Sequence, residues 1–335
     1  MPPLPNERQL LRERFIRHNG WAQASITPLL PDASFRCYFR LERQGASAML
    51  MDAPPATEKI MPFIDMAHHL NKLGFAAPKI YCYDNDNGFV LMEDFGEQTF
   101  TRLLSADTDE LVLYYSAVDV LISLHKHPTA TRIQVPQYDL SALLNEALLL
   151  ADWYYPVVQG RPIDPSVRDD YICAWKQVLT DLPATPETLV LRDFHVDNLM
   201  RIPAERDDSR CGLLDFQDAV IGPRAYDLVS LLEDARRAVA TDVAEAALHR
   251  YLTAMSDIEP EIFITNYRVL RVQRHCKVAG IFTRLEIRDG KHVYRKHLPR
   301  VLRLLAEGLA EPLLAPVDAW LRQHLPQAIR PSGSG

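Results

Sequence analysis

The sequence predicts an α+β chain of two lobes, a small β-rich N-lobe and a large α-rich C-lobe. Three observations carry this. Residues 25–93 read as short strands around a single helix, and from residue 107 the apolar spacing is helical almost throughout. The helical texture breaks once, at VLRDFHVDNLM (190–200) and GLLDFQDAVIGPRAYDLVSLL (212–232), where two short apolar runs each end in carboxylates and amides. The expected divisions are 1–93, with a leading helix, then 94–330, then a flexible tail at 331–335 whose PSGSG has linker composition.

Taken in order, residues 7–19 form a first helix with Gly20 as its stop. Residues 25–30 and 34–41 are strands joined by Pro31-Asp32-Ala33. In the second, Phe35, Cys37, Phe39 and Leu41 alternate with Arg36, Tyr38, Arg40 and Glu42, the period of a half-buried strand. A third strand at 48–52 is ended by Pro54-Pro55. Residues 58–73 make a helix with Met61, Ile64, Ala67 and Leu70 along one face and Gly74 past its end. Residues 78–83 and 88–92 are an antiparallel pair turned at Asp84-Asn85-Asp86-Asn87. After Glu93-Asp94-Phe95-Gly96 come helices at 107–127, 139–151 and 165–180, then the two short strands, then helical patterns from Arg224 onward. A cleft is expected where the lobes meet.

Composition excludes several classes. The 335 residues are 47% apolar and 24% charged, with a net charge of −7. That balance lacks the basic face a nucleic-acid binder carries, yet allows a locally basic pocket for an anion. Five scattered cysteines without metal spacing read as reduced, buried thiols. No run approaches eighteen apolar residues, and residues 1–15 have no signal-peptide core. A cytoplasmic monomer acting on a small molecule, with neither nucleic acid nor membrane as partner, is the expectation.

The chemistry sits in the broken stretch. One apolar run leads into Asp193, with Asn198 five positions on; the other leads into Asp215. Phosphoryl transfer needs one carboxylate to orient and deprotonate the attacking hydroxyl. It also needs an amide and a second carboxylate as hard oxygen ligands for magnesium on the nucleotide phosphates. Asp193 is therefore the catalytic candidate, and Asn198 and Asp215 are the metal candidates. His195, Asp197, Asp218 and Arg224 follow closely enough in sequence to line an acceptor cavity. Asp227 is expected to brace the catalytic loop through backbone N–H groups.

LRDFHVDN resembles the catalytic loop of the aminoglycoside phosphotransferase and choline kinase group, and GLLDFQDAVIGPRAYDLVSLL resembles its metal-binding strand and following helix. The likeness extends to DASFRCYFRL, MDAPPATE, FVLMEDFG and, more loosely, RHCKVAGIFTRL. It implies a bilobal protein-kinase-like fold using ATP and Mg2+. Within the group the likeness is greatest to the amino-sugar kinases of peptidoglycan recycling. That implies transfer to the anomeric C1 hydroxyl of N-acetylmuramate or N-acetylglucosamine. Another acceptor (an aminoglycoside, choline or homoserine) and a regulatory pseudokinase are the alternatives. By the same resemblance, backbone groups of Glu93 and Phe95 meet adenine, and Ser34 takes part in the phosphate loop although no glycine-rich loop is present. Two departures stand out. Leu191 and Arg192 replace the usual histidine before the catalytic Asp. Met51 and Asp52 stand where the third strand should end in a phosphate-binding lysine. Arg36 is the preferred substitute, ahead of Arg40 and Lys59, and Glu58 resembles the helix glutamate that would pair with the lysine.

Overall fold

The computed structural model describes residues 5–29, 35–106, 108–202 and 210–329. Contacts divide the chain into two compact units, residues 1–109 with 196–219, and residues 110–195 with 220–335.

The chain opens with α1 (Pro5–His18), whose Phe15 and Ile16 join Leu41, Leu50 and Phe89 in the core of the first unit. A five-stranded antiparallel sheet follows: β1 (Ser25–Pro28), β2 (Cys37–Arg43), β3 (Ala46–Asp52), β4 (Ile80–Asp84) and β5 (Phe89–Met92), in the order β1-β2-β3-β5-β4. The β2–β3 hairpin turns on Gln44 and Gly45, with φ of 51° and 80°. Positive φ at both central residues gives the twist that a two-residue hairpin requires, and glycine supplies one of them at no steric cost. Between β3 and β4 runs α2 (Met61–Lys72), with Phe63, Ile64, Met66, Ala67 and Leu70 buried. A short α3 (Phe100–Leu104) is capped by Thr99, whose hydroxyl accepts from the Arg102 N–H at 3.1 Å.

Three sequence expectations need correction here. The helix expected from Glu58 begins at Met61, because the Pro54 carbonyl accepts from the N–H groups of Thr57 and Glu58 and holds 54–58 in a turn. Phe35 and Cys37 are exposed, since β2 starts only at Cys37 and its buried position is Leu41. Of the cysteines, Cys211 and Cys276 are buried, but Cys37 and Cys173 are exposed and Cys82 is intermediate. Asp52 is buried in an ion cluster: Arg8 Nε donates to it at 2.8 Å and Arg12 Nη1 at 3.2 Å. The third-strand lysine position is therefore taken over by an acid that ties down α1.

Next come α4 (Glu110–Lys126), α5 (Leu140–Leu149), α6 (Tyr155–Gln159) and α7 (Pro165–Asp181), with a π-helical turn, Leu150–Tyr154, inserted before α6. Asp139 caps α5, its Oδ1 accepting from Ala142 N–H at 2.9 Å. Four short strands replace the two anticipated: β6 (Glu187–Val190), β7 (Leu199–Ile202), β8 (Arg210–Leu213) and β9 (Val220–Pro223). They form two separate antiparallel ladders, β6–β9 and β7–β8, each too short to show a periodicity in sequence. The helices α8 (Ala225–Leu232), α9 (Thr241–Ala254), α10 (Pro260–Ile287), α11 (Leu298–Gly308) and α12 (Ala315–His324) complete the second unit. Its centre is α10, which packs on α5, α8, α11 and the π-turn. Tyr171, Trp175 and Trp320 fill the core beside it, with Tyr154 and Tyr155 buried among them. No described helix is long and apolar enough to cross a membrane.

Candidate active site

Hairpin register assembles the metal-ligand candidates. β7 and β8 pair with Leu199 opposite Leu213, and Leu214 N–H donates to the Asn198 carbonyl at 3.0 Å. Seventeen positions of sequence are thus folded back so that Asn198 Nδ2 lies 3.4 Å from Asp215 Oδ2. Asp215 is left-handed, φ 57°, a conformation that costs a non-glycine residue on the order of 1 kcal/mol and persists where its surroundings enforce it. The enforcement comes from the next residue. Phe216 is fully buried and stacks on Phe63 of α2, centroids 5.1 Å apart. Gln217 Nε2 donates to Asp215 Oδ1 at 2.9 Å.

Arg36 completes this group. Its Nε is 3.1 Å from Glu58 Oε2 and its Nη1 is 3.7 Å from Asp215 Oδ1. Burial pulls its pKa down, but Tyr38, Glu58 and Asp215 outweigh that and raise it. Of the other two substitutes, Arg40 is held by Asp94 at 2.7 Å and by Glu97 at 2.9 Å. Ser34 lies outside the described residues.

The same unit holds a recess of about 250 Å³. Apolar walls come from Leu29, Met49, Met92, Met200 and Leu214; Glu93 to Gly96 border it, and so do Asn198 and Asp215. Glu93 N–H is used by the Lys79 carbonyl at 2.9 Å, so the Glu93 carbonyl and Phe95 N–H are the backbone groups able to meet a base. Gly212 lines the back of Phe95. A Cβ there would stand 3.0 Å from the Phe95 ring and 3.3 Å from Met200 Cβ, so only glycine lets the ring lie this close. Apolar walls, a backbone edge and oxygen ligands with a cation suit a nucleotide: a flat base in the walls and phosphates among the polar groups. Asn198 and Asp215 offer the hard oxygens that Mg2+ takes, one amide and one carboxylate, with Asp215 42% exposed and able to reach a phosphate-bound ion.

In the second unit Asp193 sits just past the left-handed Arg192, φ 68°. Asp227 holds this bend. Its fully buried carboxylate accepts from Leu191 N–H at 2.6 Å and Arg192 N–H at 2.8 Å, the brace anticipated from sequence. Behind Asp193 lies a buried polar network that the sequence did not reveal. Arg274 Nη2 is 3.8 Å from Asp193 Oδ1, and Arg274 Nη1 donates to the Arg192 carbonyl and the Tyr226 hydroxyl, both at 3.2 Å. Lys277 Nζ donates to the same hydroxyl at 3.2 Å and pairs with Glu146 at 2.9 Å. Glu146 also accepts from Arg192 and from the Tyr138 hydroxyl. Burial pushes the Asp193 pKa up, but Lys277, Arg274, His195 and Arg192 outweigh it and hold the carboxyl at about 2. An ionised carboxylate of this kind can orient a hydroxyl and accept its proton as transfer proceeds.

The acceptor candidates scatter. His195 is buried, its N–H donating to the Asp193 carbonyl at 3.1 Å. Asp197 accepts from the Thr101 hydroxyl, in the first unit, and Asp218 is exposed there and contacts Gln217 at 3.3 Å. Arg224 is buried in the second unit and donates to Asp257 at 2.8 Å, pinning the loop between α9 and α10. The one signal that could have located Arg274 and Lys277 is their i, i+3 spacing within RHCKVAG on α10.

The model of the phosphotransferase enzyme family (APH) matches residues 25–262. The N-acetylmuramate/N-acetylglucosamine kinase of Caulobacter vibrioides is 31% identical over 98% of this chain and 99% of its own. The protein of the same name from Pseudomonas aeruginosa is 35% identical over 95% of this chain and 94% of its own. Among solved structures, a choline/ethanolamine kinase family protein from Mesorhizobium loti superposes with a TM-score of 0.63 at 12% identity, covering 96% of this chain and 100% of that one.

Proposed function

The chain belongs to the phosphotransferase enzyme family (APH), with a protein-kinase-like fold of a sheet-rich N-lobe and a helix-rich C-lobe, and from this we propose that it is an ATP-dependent kinase acting on N-acetylmuramate and N-acetylglucosamine. What supports the acceptor is the near-full-length identity of 31–35% to kinases named for those sugars. The observation that carries the nucleotide reading is the recess bordered by Glu93 and Phe95 and by Asn198 and Asp215.

In this reading the C1 hydroxyl is the acceptor. Asp193 orients it and takes its proton as the sugar oxygen bonds to the γ-phosphorus; the bond from that phosphorus to the β,γ-bridging oxygen breaks, and ADP leaves with the electron pair. Asn198 and Asp215 would hold Mg2+, which when bound neutralises phosphate charge. Arg36, braced by Glu58, supplies the cation that a third-strand lysine would otherwise supply. Glu93 and Phe95 present backbone groups to adenine, and Ser34 belongs to the phosphate loop. His195, Asp197, Asp218 and Arg224 remain acceptor-side candidates, Arg224 the weakest because Asp257 engages it. Residues 1–93 act as the nucleotide lobe and 94–330 as the catalytic lobe of a cytoplasmic monomer that serves cell-wall sugar recycling.

The test is ADP release over a panel of amino sugars, aminoglycosides, choline and homoserine. Turnover with the two N-acetyl sugars is expected, and phosphorus NMR should show an anomeric phosphate. Turnover only with an amine would reassign the acceptor; ATP binding without turnover on any acceptor would make the chain a pseudokinase.

A further inference from the structure

Adenine and guanine present opposite hydrogen-bonding edges. Adenine donates from its 6-amino group and accepts at N1, whereas guanine accepts at its 6-oxo group and donates from N1. A backbone edge that offers a carbonyl and then an N–H fits the first and opposes the second. The recess in the first unit is bordered by such an edge. The Glu93 N–H is given to the Lys79 carbonyl at 2.9 Å, which leaves the Glu93 carbonyl and the Phe95 N–H to face a base. Gly96 puts that order at risk. It is left-handed, φ 81°, and a glycine lets the chain beside it turn over at little steric cost.

Arg40 locks the turn. It lies on β2 two residues from Tyr38 and opposite Met49 of β3, so strand alternation puts it on the face whose Tyr38 and Met49 line the recess. Its Nε donates to Asp94 Oδ2 at 2.7 Å. Nη2 donates to Asp94 Oδ1 at 3.2 Å and to the Gly96 carbonyl at 2.8 Å, and Nη1 donates to Glu97 at 2.9 Å. Asp94 Oδ1 in turn accepts from the Gly96 N–H at 2.9 Å. Both backbone groups of Gly96 are therefore engaged, one by the guanidinium and one by the carboxylate that the guanidinium holds. The peptide that carries the Phe95 N–H lies between these two anchors. The Phe95 ring is seated against Gly212. The Asp94 side chain is 3% exposed and that of Arg40 15%, so the carboxylate without its guanidinium would be a buried charge lacking its counter-ion. Glu97 also pairs with Arg102 of α3, which carries the clamp into the next helix.

Resting on the nucleotide reading of this recess, we propose that Arg40 positions the base-binding edge and so sets the enzyme's preference for a 6-amino over a 6-oxo purine nucleotide. It does this without touching the nucleotide, by fixing which peptide group faces the base. A cation that bound phosphate would act on both nucleotides alike, because their triphosphates are identical. A residue that only stabilised the lobe would also act on both alike. The ratio between the two bases separates these roles.

Calorimetric titration of the full chain with non-hydrolysable analogues of ATP and GTP gives the ratio of their dissociation constants and needs no acceptor. The wild type is expected to bind the ATP analogue more tightly. Arg40→Met should reduce that preference about tenfold or more, chiefly by weakening the ATP analogue. Arg40→Lys keeps a charge beside buried Asp94 and gives the answer alone if Arg40→Met does not fold. An ammonium cannot hold the carboxylate and the Gly96 carbonyl in one planar fork, so the preference should fall nearly as far. Glu97→Gln leaves the Asp94 and Gly96 contacts in place and should preserve it. A preference kept by Arg40→Lys overturns the inference, whether the two analogues weaken together or not at all, and so does a wild type that binds them equally. A wild type that binds neither analogue would instead remove the nucleotide reading beneath it, and the inference with it.

Discussion

Arg36 bridges two carboxylates, 3.1 Å from Glu58 and 3.7 Å from Asp215. One guanidinium therefore ties a turn next to the sheet to the left-handed residue proposed as a metal ligand. In the proposed reading Arg36, just before β2, is the phosphate-binding cation, while the end of β3 is occupied by Asp52 and its two arginines. Arg36→Ala is expected to raise KM for ATP about 10–100-fold, the weight of one or two charge-assisted hydrogen bonds, and to change KM for the sugar little. Arg36→Lys should recover part of the loss. Steady-state kinetics with each substrate varied in turn checks this; an unchanged KM for ATP would return the role to Arg40 or Lys59.

Phe95 and Gly212 make the matching case at the base end of the recess. A side chain at Gly212 has the Phe95 ring 3.0 Å away and must displace it. Gly212→Val should therefore shift the Glu93–Gly96 segment and weaken ATP binding by at least about tenfold, while Asp193 chemistry with saturating ATP is largely kept. Calorimetric titration with a non-hydrolysable ATP analogue measures the first, and kcat at high ATP the second.

Asp193→Asn removes the proposed proton acceptor without changing size, and kcat should fall by about 10²–10⁴ with ATP affinity retained. The pH behaviour follows from the cations behind the carboxylate. With its pKa held at about 2, below the ordinary 3.8, Asp193 stays ionised and the rate should show no acid limb from this group down to about pH 5. The sign for stability is the same. The depressed pKa stabilises the fold above the unfolded value near 4, and that contribution fades as pH drops towards 2. Lys277→Met takes away the largest cationic pull, so its rate profile should acquire an acid limb at higher pH than wild type. Coincident profiles for the two proteins would show that Lys277 does not set the ionisation.

Asp227 offers a purely structural check on the catalytic loop. Its carboxylate is the acceptor for Leu191 and Arg192 N–H groups at a buried, left-handed bend. Asp227→Ala orphans both donors, at about 1–3 kcal/mol each, and chemical denaturation should show a loss in that range or above. Asp227→Asn, which keeps one acceptor, should lose less.

What could be read from sequence was what is local. Asp193 and Asp215 stand out because each ends a short apolar run, Asn198 because it follows Asp193 by five positions, and the lobes because strand and helix periods differ. Asp227 was legible as a brace from its place in the helix after the second motif. The rest depends on packing. Arg274 and Lys277 read as an ordinary charged helix face, and only the position of α10 at the centre of its unit turns that face inward towards Glu146. Arg40 is separated from Asp94 by 54 positions, and no pattern in CYFRLER marks the pairing. Phe35 and Cys37 obeyed the strand alternation and still lie outside, because alternation says nothing about where a strand begins.

Glu146 is the point at which the second unit's network can be broken most informatively. It pairs with Lys277 at 2.9 Å and with Arg192, and accepts from Tyr138, with only 13% of its side chain exposed. Removing one member of a buried ion pair leaves the other uncompensated, which costs about 3–5 kcal/mol, whereas replacing both by apolar groups is far milder. Glu146→Leu alone is thus expected to destabilise strongly, and Glu146→Leu combined with Lys277→Met to recover much of the loss in a double-mutant cycle of unfolding free energies. Recovery of stability should not bring recovery of rate. Arg192 would still lack its partner beside the bend that presents Asp193, and Asp193 would still lack Lys277. Stability regained together with full kcat would mean that the network is only core filling, while stability regained with kcat still depressed would place it in the service of the catalytic carboxylate.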